Sequence, residues 1–189
     1  MDWRDIPGFF DFEDIYRKVV AEAKDGDHIV EIGVMFGKST AFMAQEIITS
    51  KKHIVFDAID TWGWCLKDAF TAAPSSSAAA HIIKKCSDIR EAVEKLLQGS
   101  GVAQNVNLIS GSGQQRASDY QDGSLSFVFI DTTHLFLDTV ELLIAYLPKI
   151  RAGGMIAGHD YDLAGVHDAV AAILGPVQTS GKSFFQKIR

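Results

Sequence analysis

The chain has 189 residues, 47% of them apolar, and a formal net charge of −6. That is enough chain for one domain to bury a full core without metal or disulfide staples, and the acidic balance gives no general attraction to nucleic-acid phosphates or anionic lipid. Two cysteines, Cys65 and Cys86, are too few for a disulfide framework and lack the paired spacing of a zinc site, so free thiols in a reducing compartment are expected.

The N-terminus, Met1-Asp2-Trp3-Arg4-Asp5, has no basic stretch leading into an apolar one, and charge interrupts every later apolar run short of a membrane span. A soluble, cytoplasmic protein of one domain over 1–189, without nucleic-acid or membrane partners, is the expectation. After Ile6-Pro7-Gly8, residues Phe12, Ile15, Tyr16, Val19 and Val20 share one helical face between Asp11 and Ala23, and Asp25-Gly26-Asp27 ends that helix. A strand through Ile29 and Ile32 follows, then a helix from Lys38 to about Thr49 and a second strand over Ile54 to Ile59 ending at Asp60.

Thr61 to Ala80 reads as an irregular insertion, a mobile loop or lid, with Trp62, Trp64, Phe70 and the small-residue tract from Ala72 to Ser77. The spacing of Ile82, Ile83, Cys86, Ile89, Val93, Leu96 and Leu97 predicts a single amphipathic helix from His81 to Leu97, stopped by Gly99-Ser100-Gly101. Further strands are predicted at Val106 to Ile109, Ser124 to Ile130 and Met155 to Ala157. A helix from Phe136 to Leu147 is closed by Pro148. The tail, with Val177-Gln178 and Ser183 to Ile188, is expected to add an antiparallel edge. Alternation of this kind implies an α/β fold, a doubly wound and mostly parallel sheet with helices on both faces, whose ligand sites lie at the carboxyl ends of the strands.

The first of those ends is the most informative. Glu31-Ile32-Gly33-Val34-Met35-Phe36-Gly37-Lys38-Ser39 places an acid and two spaced glycines between a strand and a helix. A phosphate-cradling loop needs four residues before its Gly-Lys pair, and only Val34, Met35 and Phe36 stand between Gly33 and Gly37. The dinucleotide fingerprint fails as well, for want of a second glycine two residues after the first. A nucleotide-binding NTPase is therefore the weaker alternative. The surviving pattern, E-x-G-x-x-x-G-x-S, resembles motif I of class I S-adenosylmethionine-dependent methyltransferases. That resemblance implies that Gly33 and Gly37 pack against the methionyl part of the cofactor, that Ser39 bonds its carboxylate and that Glu31 faces its amino group. Asp60, at the second strand end, is placed to accept hydrogen bonds from the ribose hydroxyls.

Strand three leads into Ser110-Gly111-Ser112-Gly113-Gln114, where catechol-type O-methyltransferases hold the adenine. Ser112 and Gln114 match those contacts, and Ser112 is equally a helix cap. Phe129-Ile130-Asp131-Thr132-Thr133-His134 and Gly153-Gly154-Met155-Ile156-Ala157-Gly158-His159-Asp160-Tyr161 resemble the F-I-D-x-x-H and G-G-x-I-x-G-H-D-Y segments of a bacterial branch of the family, which also shares Asp60-Thr61-Trp62. The resemblance runs from Ile6 to Arg189. It implies a methyltransferase acting on the oxygen of a small hydroxylated acceptor, a sugar or an aromatic ring. His134 would take the acceptor proton beside Asp131, while Asp131, His159 and Asp160 would ligate magnesium or manganese. A histidine ligand also suits iron or zinc. The plainer alternatives are that His134 packs at the following helix and that His159 bonds a neighbouring loop. A non-methylating relative that keeps only the cofactor loop is a further alternative. The helix from Asp11 to Ala23 and the insertion are candidate homo-oligomer contacts.

Overall fold

The computed structural model describes residues 1–63 and 78–189. Most of the expected insertion, with Trp64, Cys65 and Phe70, lies outside the described residues. The elements in chain order are α1 (Glu13–Glu22), β1 (His28–Ile32), α2 (Lys38–Ser50), β2 (Val55–Asp60), α3 (Ala78–Ile83), α4 (Ile89–Gly99), β3 (Asn107–Ser110), α5 (Gly113–Arg116), β4 (Leu125–Ile130), α6 (Phe136–Tyr146), β5 (Ile150–Gly158), α7 (Ala164–Ile173), β6 (Gln178–Ser180) and β7 (Ser183–Lys187).

Seven strands form one sheet in the order β3-β2-β1-β4-β5-β7-β6. Strands β1 to β5 pair in parallel, and β7 runs antiparallel to both β5 and β6. Central strand β4, covered on both faces, is apolar but for Ser126, and the pleat sends alternate residues to opposite cores. Ile29, Phe127 and Phe129 join α1, α2 and α4 residues such as Tyr16, Phe42 and Leu96 on one face. Val30, Val128 and Ile130 join Leu142, Leu143 and Tyr146 of α6 and Val166 and Val170 of α7 on the other. The strand order reverses between β1 and β4, which makes their carboxyl ends the switch point at which doubly wound sheets bind ligands.

Four local expectations are corrected. The helix predicted from His81 to Leu97 is two helices, because Asp88 caps the second, its Oδ1 accepting from Glu91 N at 2.9 Å while Ser87 N donates to Glu91 Oε2 at 2.6 Å. The sequence reading passed over α7, whose Val166, Ala169 and Val170 are buried at helical spacing. Strand β5 begins five residues early and runs through Gly153-Gly154, with a register shift against β4. A Cβ on Gly154 would lie 2.9 Å from Ser126 O, so the crowded strand needs glycine there. The tail is antiparallel, as expected, but β7 is inserted beside β5 and the edge is β6. Phe184 of β7 is 1% exposed and fits over Gly158, where a Cβ would come within 2.6 Å of its ring.

Candidate active site

At the end of β1, Gly33 takes φ +96° and donates its N–H to Ile59 O at 2.9 Å, while Asp131 N donates to Ile32 O at 2.8 Å. A Cβ on Gly33 would stand 1.6 Å from Asp131 O, so the loops after β1 and β4 touch backbone to backbone. Gly37, at φ +80°, opens α2, and a Cβ there would press on Val93 of α4 at 3.3 Å. Both glycines thus have packing reasons within the chain.

Glu31 is placed differently from the expectation that it faces the cofactor's amino group. It is 1% exposed, and its Oε1 accepts from Tyr16 Oη at 2.8 Å and Ser39 Oγ at 2.6 Å, while Oε2 accepts from Thr40 Oγ1 at 2.5 Å. Ser39 accordingly serves Glu31. Burial raises the Glu31 carboxyl to about 7, outweighing the three hydroxyl donors, which favour the charged form. Burial, with the adjoining carboxylate, likewise drives the Tyr16 phenol upward. Tyr16 and Thr40 went unremarked as partners in the sequence because each sits within an otherwise apolar helical face.

Asp60 closes the same loop from β2. Its Oδ2 accepts from Val34 N at 2.8 Å and Met35 N at 3.2 Å, and its Oδ1 accepts from Trp62 N at 2.8 Å. A carboxylate offers about four acceptor positions, so Oδ1 has one beyond its bond from Trp62 N. The same bonds count against a phosphate cradle, because the Gly33, Val34, Met35 and Gly37 N–H groups are all committed within the protein.

After β3, Ser112 caps α5 by accepting from Gln115 N at 3.3 Å, and the half-buried Gln114 makes no side-chain hydrogen bond to the described residues. Arg116 braces the turn through Ser110 O at 2.6 and 2.9 Å, and the Trp62 indole donates to Ser110 Oγ at 2.9 Å.

The ends of β4 and β5 meet in a charged cluster. His134 Nε2 lies 3.3 Å from Asp131 Oδ1 and 2.9 Å from Asp160 Oδ2. The hydrogen bond to Asp131 is the main cause that raises the His134 pKa, with the Asp160 charge adding to it against partial burial. One ligand atom from each of Asp131, His134 and Asp160 can be chosen so that all three lie within 4.8 Å of one another, a donor set of two carboxylates and an imidazole that fits a divalent cation. His134 fills the position in this group expected of His159. His159 instead faces Asp160 with Nδ1 at 3.3 Å and bonds Asp11 with Nε2 at 2.8 Å, the neighbouring-loop alternative. Nothing in the sequence linked Asp11 to His159, 148 residues away.

Among the described residues, five that are not glycine have positive φ, and four of them, Met35, Trp62, His134 and Asp160, follow β1, β2, β4 and β5. Left-handed backbone costs such residues roughly 1–3 kcal/mol each and collects where ligands are held. Four strand ends therefore share one strained crest.

A doubly wound sheet with an inserted antiparallel seventh strand, and acids closing a glycine turn at its switch point, defines a class I S-adenosylmethionine-dependent methyltransferase. The chain belongs to the methyltransferase-domain family, whose model matches residues 30–161. Among solved structures it is similar to the O-methyltransferase NovP, at 15% identity with a TM-score of 0.65, covering 93% of this chain and 78% of NovP. The calicheamicin methyltransferase CalS11 gives 16% identity and a TM-score of 0.62 over 93% of this chain and 76% of its own. Cofactor-bound Rv0187 from MTB gives 15% and 0.65 over 97% and 84%. These likenesses concern the fold. No curated protein matches the sequence.

Proposed function

We propose that this methyltransferase moves the methyl group of S-adenosylmethionine to an oxygen of a small hydroxylated acceptor held against Asp131, His134 and Asp160. The observation that carries the reading is the convergence of those three side chains, from two different strand ends, beside the loop that Asp60 closes. Two of the similar structures, the O-methyltransferase NovP and CalS11, a TDP-rhamnose 3'-O-methyltransferase, are of enzymes that methylate oxygen, which supports that choice of atom.

In the transfer, a lone pair of the acceptor oxygen forms the new C–O bond as the S–CH3 pair returns to sulfur, leaving a neutral thioether. The acceptor's proton must leave, and the His134 imidazole is the base in the cluster able to take it, on the ring nitrogen that does not bond the two carboxylates. Asp131 and Asp160 orient the ring and stabilise the imidazolium formed, which is the sense of the raised His134 pKa. Where the same three side chains instead hold magnesium or manganese, the cation would supply acidification of the acceptor hydroxyl, and the ring nitrogen that ligates it would not be the proton acceptor. On the cofactor side, Asp60 would take a ribose hydroxyl on its remaining acceptor position, with Gln114 and Ser112 beside the adenine and Gly33 to Ser39 beneath the methionyl end. Positioning of this kind supplies most of the rate in an in-line displacement.

Calorimetric titration tests the assignment. S-adenosylmethionine is expected to bind the wild type, and Asp60→Ala to weaken it at least tenfold. Unchanged affinity would defeat the assignment. Manganese titrated into chelator-treated protein should bind the wild type and be lost in Asp131→Asn; equal binding in both would remove the cation from the reading.

A further inference from the structure

The charged cluster does not end at Asp160. His159, only 8% exposed, presents Nδ1 to Asp160 Oδ2 at 3.3 Å and Nε2 to Asp11 Oδ1 at 2.8 Å. Asp160 Oδ2 in turn lies 2.9 Å from His134 Nε2, which lies 3.3 Å from Asp131 Oδ1. Carboxylate and imidazole therefore alternate through Asp11, His159, Asp160, His134 and Asp131. Four members come from the ends of β4 and β5. The fifth comes from the N-terminal segment, outside the residues that the family model matches.

We propose that Asp11 is a positioning residue for the acceptor site, acting through the His159 ring to hold Asp160 in the orientation that faces His134. This rests on the reading of Asp131, His134 and Asp160 as that site. An imidazole is a rigid plate whose ring torsion is broad and soft, so a contact at one edge alone leaves it free to swivel. Contacts at both edges fix the plate, and with it the carboxylate that the plate touches. Asp160 needs such support, because it stands in a turn at φ +54°.

The far end of the chain of contacts is itself anchored. Phe12, next to Asp11, is 2% exposed, stacks on Phe129 of β4 at 4.4 Å between ring centroids and lies 5.1 Å from the His159 ring. The backbone at Asp11 is thereby tied to the core, while the Asp11 side chain, 52% exposed, can be changed without opening it.

The test reads imidazole 15N signals of labelled protein without cofactor at a single pH, with His134 assigned through His134→Gln. Asp11→Ala is expected to shift the signals of His134 as well as those of His159, although Asp11 does not touch His134. Asp11→Asn, which keeps an acceptor oxygen, should restore most of the shift. Both variants should melt within about two degrees of the wild type. His134 signals that stay in place in Asp11→Ala would overturn the proposal. A His134 shift that Asp11→Asn leaves unrestored would overturn it too, since the hydrogen bond would then not carry the effect. A wild type that fails to bind S-adenosylmethionine would sink the methyltransferase reading instead, and the ring signals would still decide the role of Asp11.

Discussion

Glu31 shows how one buried carboxylate can organise a loop. Its three hydroxyl partners come from α1 and α2, so the acid ties both helices to the end of β1. Its pKa rises from 4.5 to about 7 on folding. The native state therefore holds a proton that the unfolded chain releases, so this contribution to stability is complete below pH 4.5 and is lost as pH climbs through 7. The loss amounts to roughly 3 kcal/mol. Urea unfolding between pH 4.5 and 7 should show stability falling with pH, and Glu31→Gln should flatten that slope; a slope unchanged by the substitution would refute the assignment. Gly33 makes a sharper case. Alanine there would combine a positive φ with a Cβ 1.6 Å from Asp131 O, and Gly33→Ala should cost ~3 kcal/mol or more in the same assay. The two glycines and the acid were legible as a motif, but the partners of Glu31 were not. Hydroxyls at positions 16, 39 and 40 meet only after two helices have packed.

Among the elements, the strands and α1, α2 and α6 could be read from apolar spacing because each buries one stripe or both faces. The break between α3 and α4 could not, since Ile82, Ile83, Cys86 and Ile89 keep an apolar rhythm straight through it. Asp88 decides the matter by offering its carboxylate to the first turn of α4. Asp88→Ala should destabilise the protein by about 1 kcal/mol, and hydrogen exchange should quicken in the first turn of α4 before the rest of that helix. Uniform exchange along α4 would show that the cap does not set its start. Helix α7 could not be read from spacing because only Val166, Ala169 and Val170 are buried on it, too few to give a strong periodic signal. Strand β7 could be recognised as antiparallel but not located, because pairing beside β5 rests on Phe184 filling the space left by Gly158.

Across the whole molecule, the carboxyl edge of the sheet holds four of the five described non-glycine residues with positive φ and the Asp131–His134–Asp160 cluster. The amino edge holds ion pairs such as Asp27 with Arg151 at 3.0 Å. Saturating S-adenosylhomocysteine should therefore slow hydrogen exchange at 33–39, 60–63 and 110–116 and leave 24–28 and 150–153 at their free rates. Protection at the amino edge instead would place the ligand elsewhere. Among the described residues no helix is long and apolar enough to cross a membrane.

The sequence alone determined the doubly wound class, the glycine turn and the acids at the strand ends, because apolar periodicity and turn chemistry act over a few neighbouring residues. Tertiary structure alone decided which side chains meet. It buried Glu31, set His134 rather than His159 against both Asp131 and Asp160, and carried Asp11 to His159. Such choices depend on which strands lie side by side in the sheet, and contacts between residues more than a hundred positions apart leave no periodic trace in the chain.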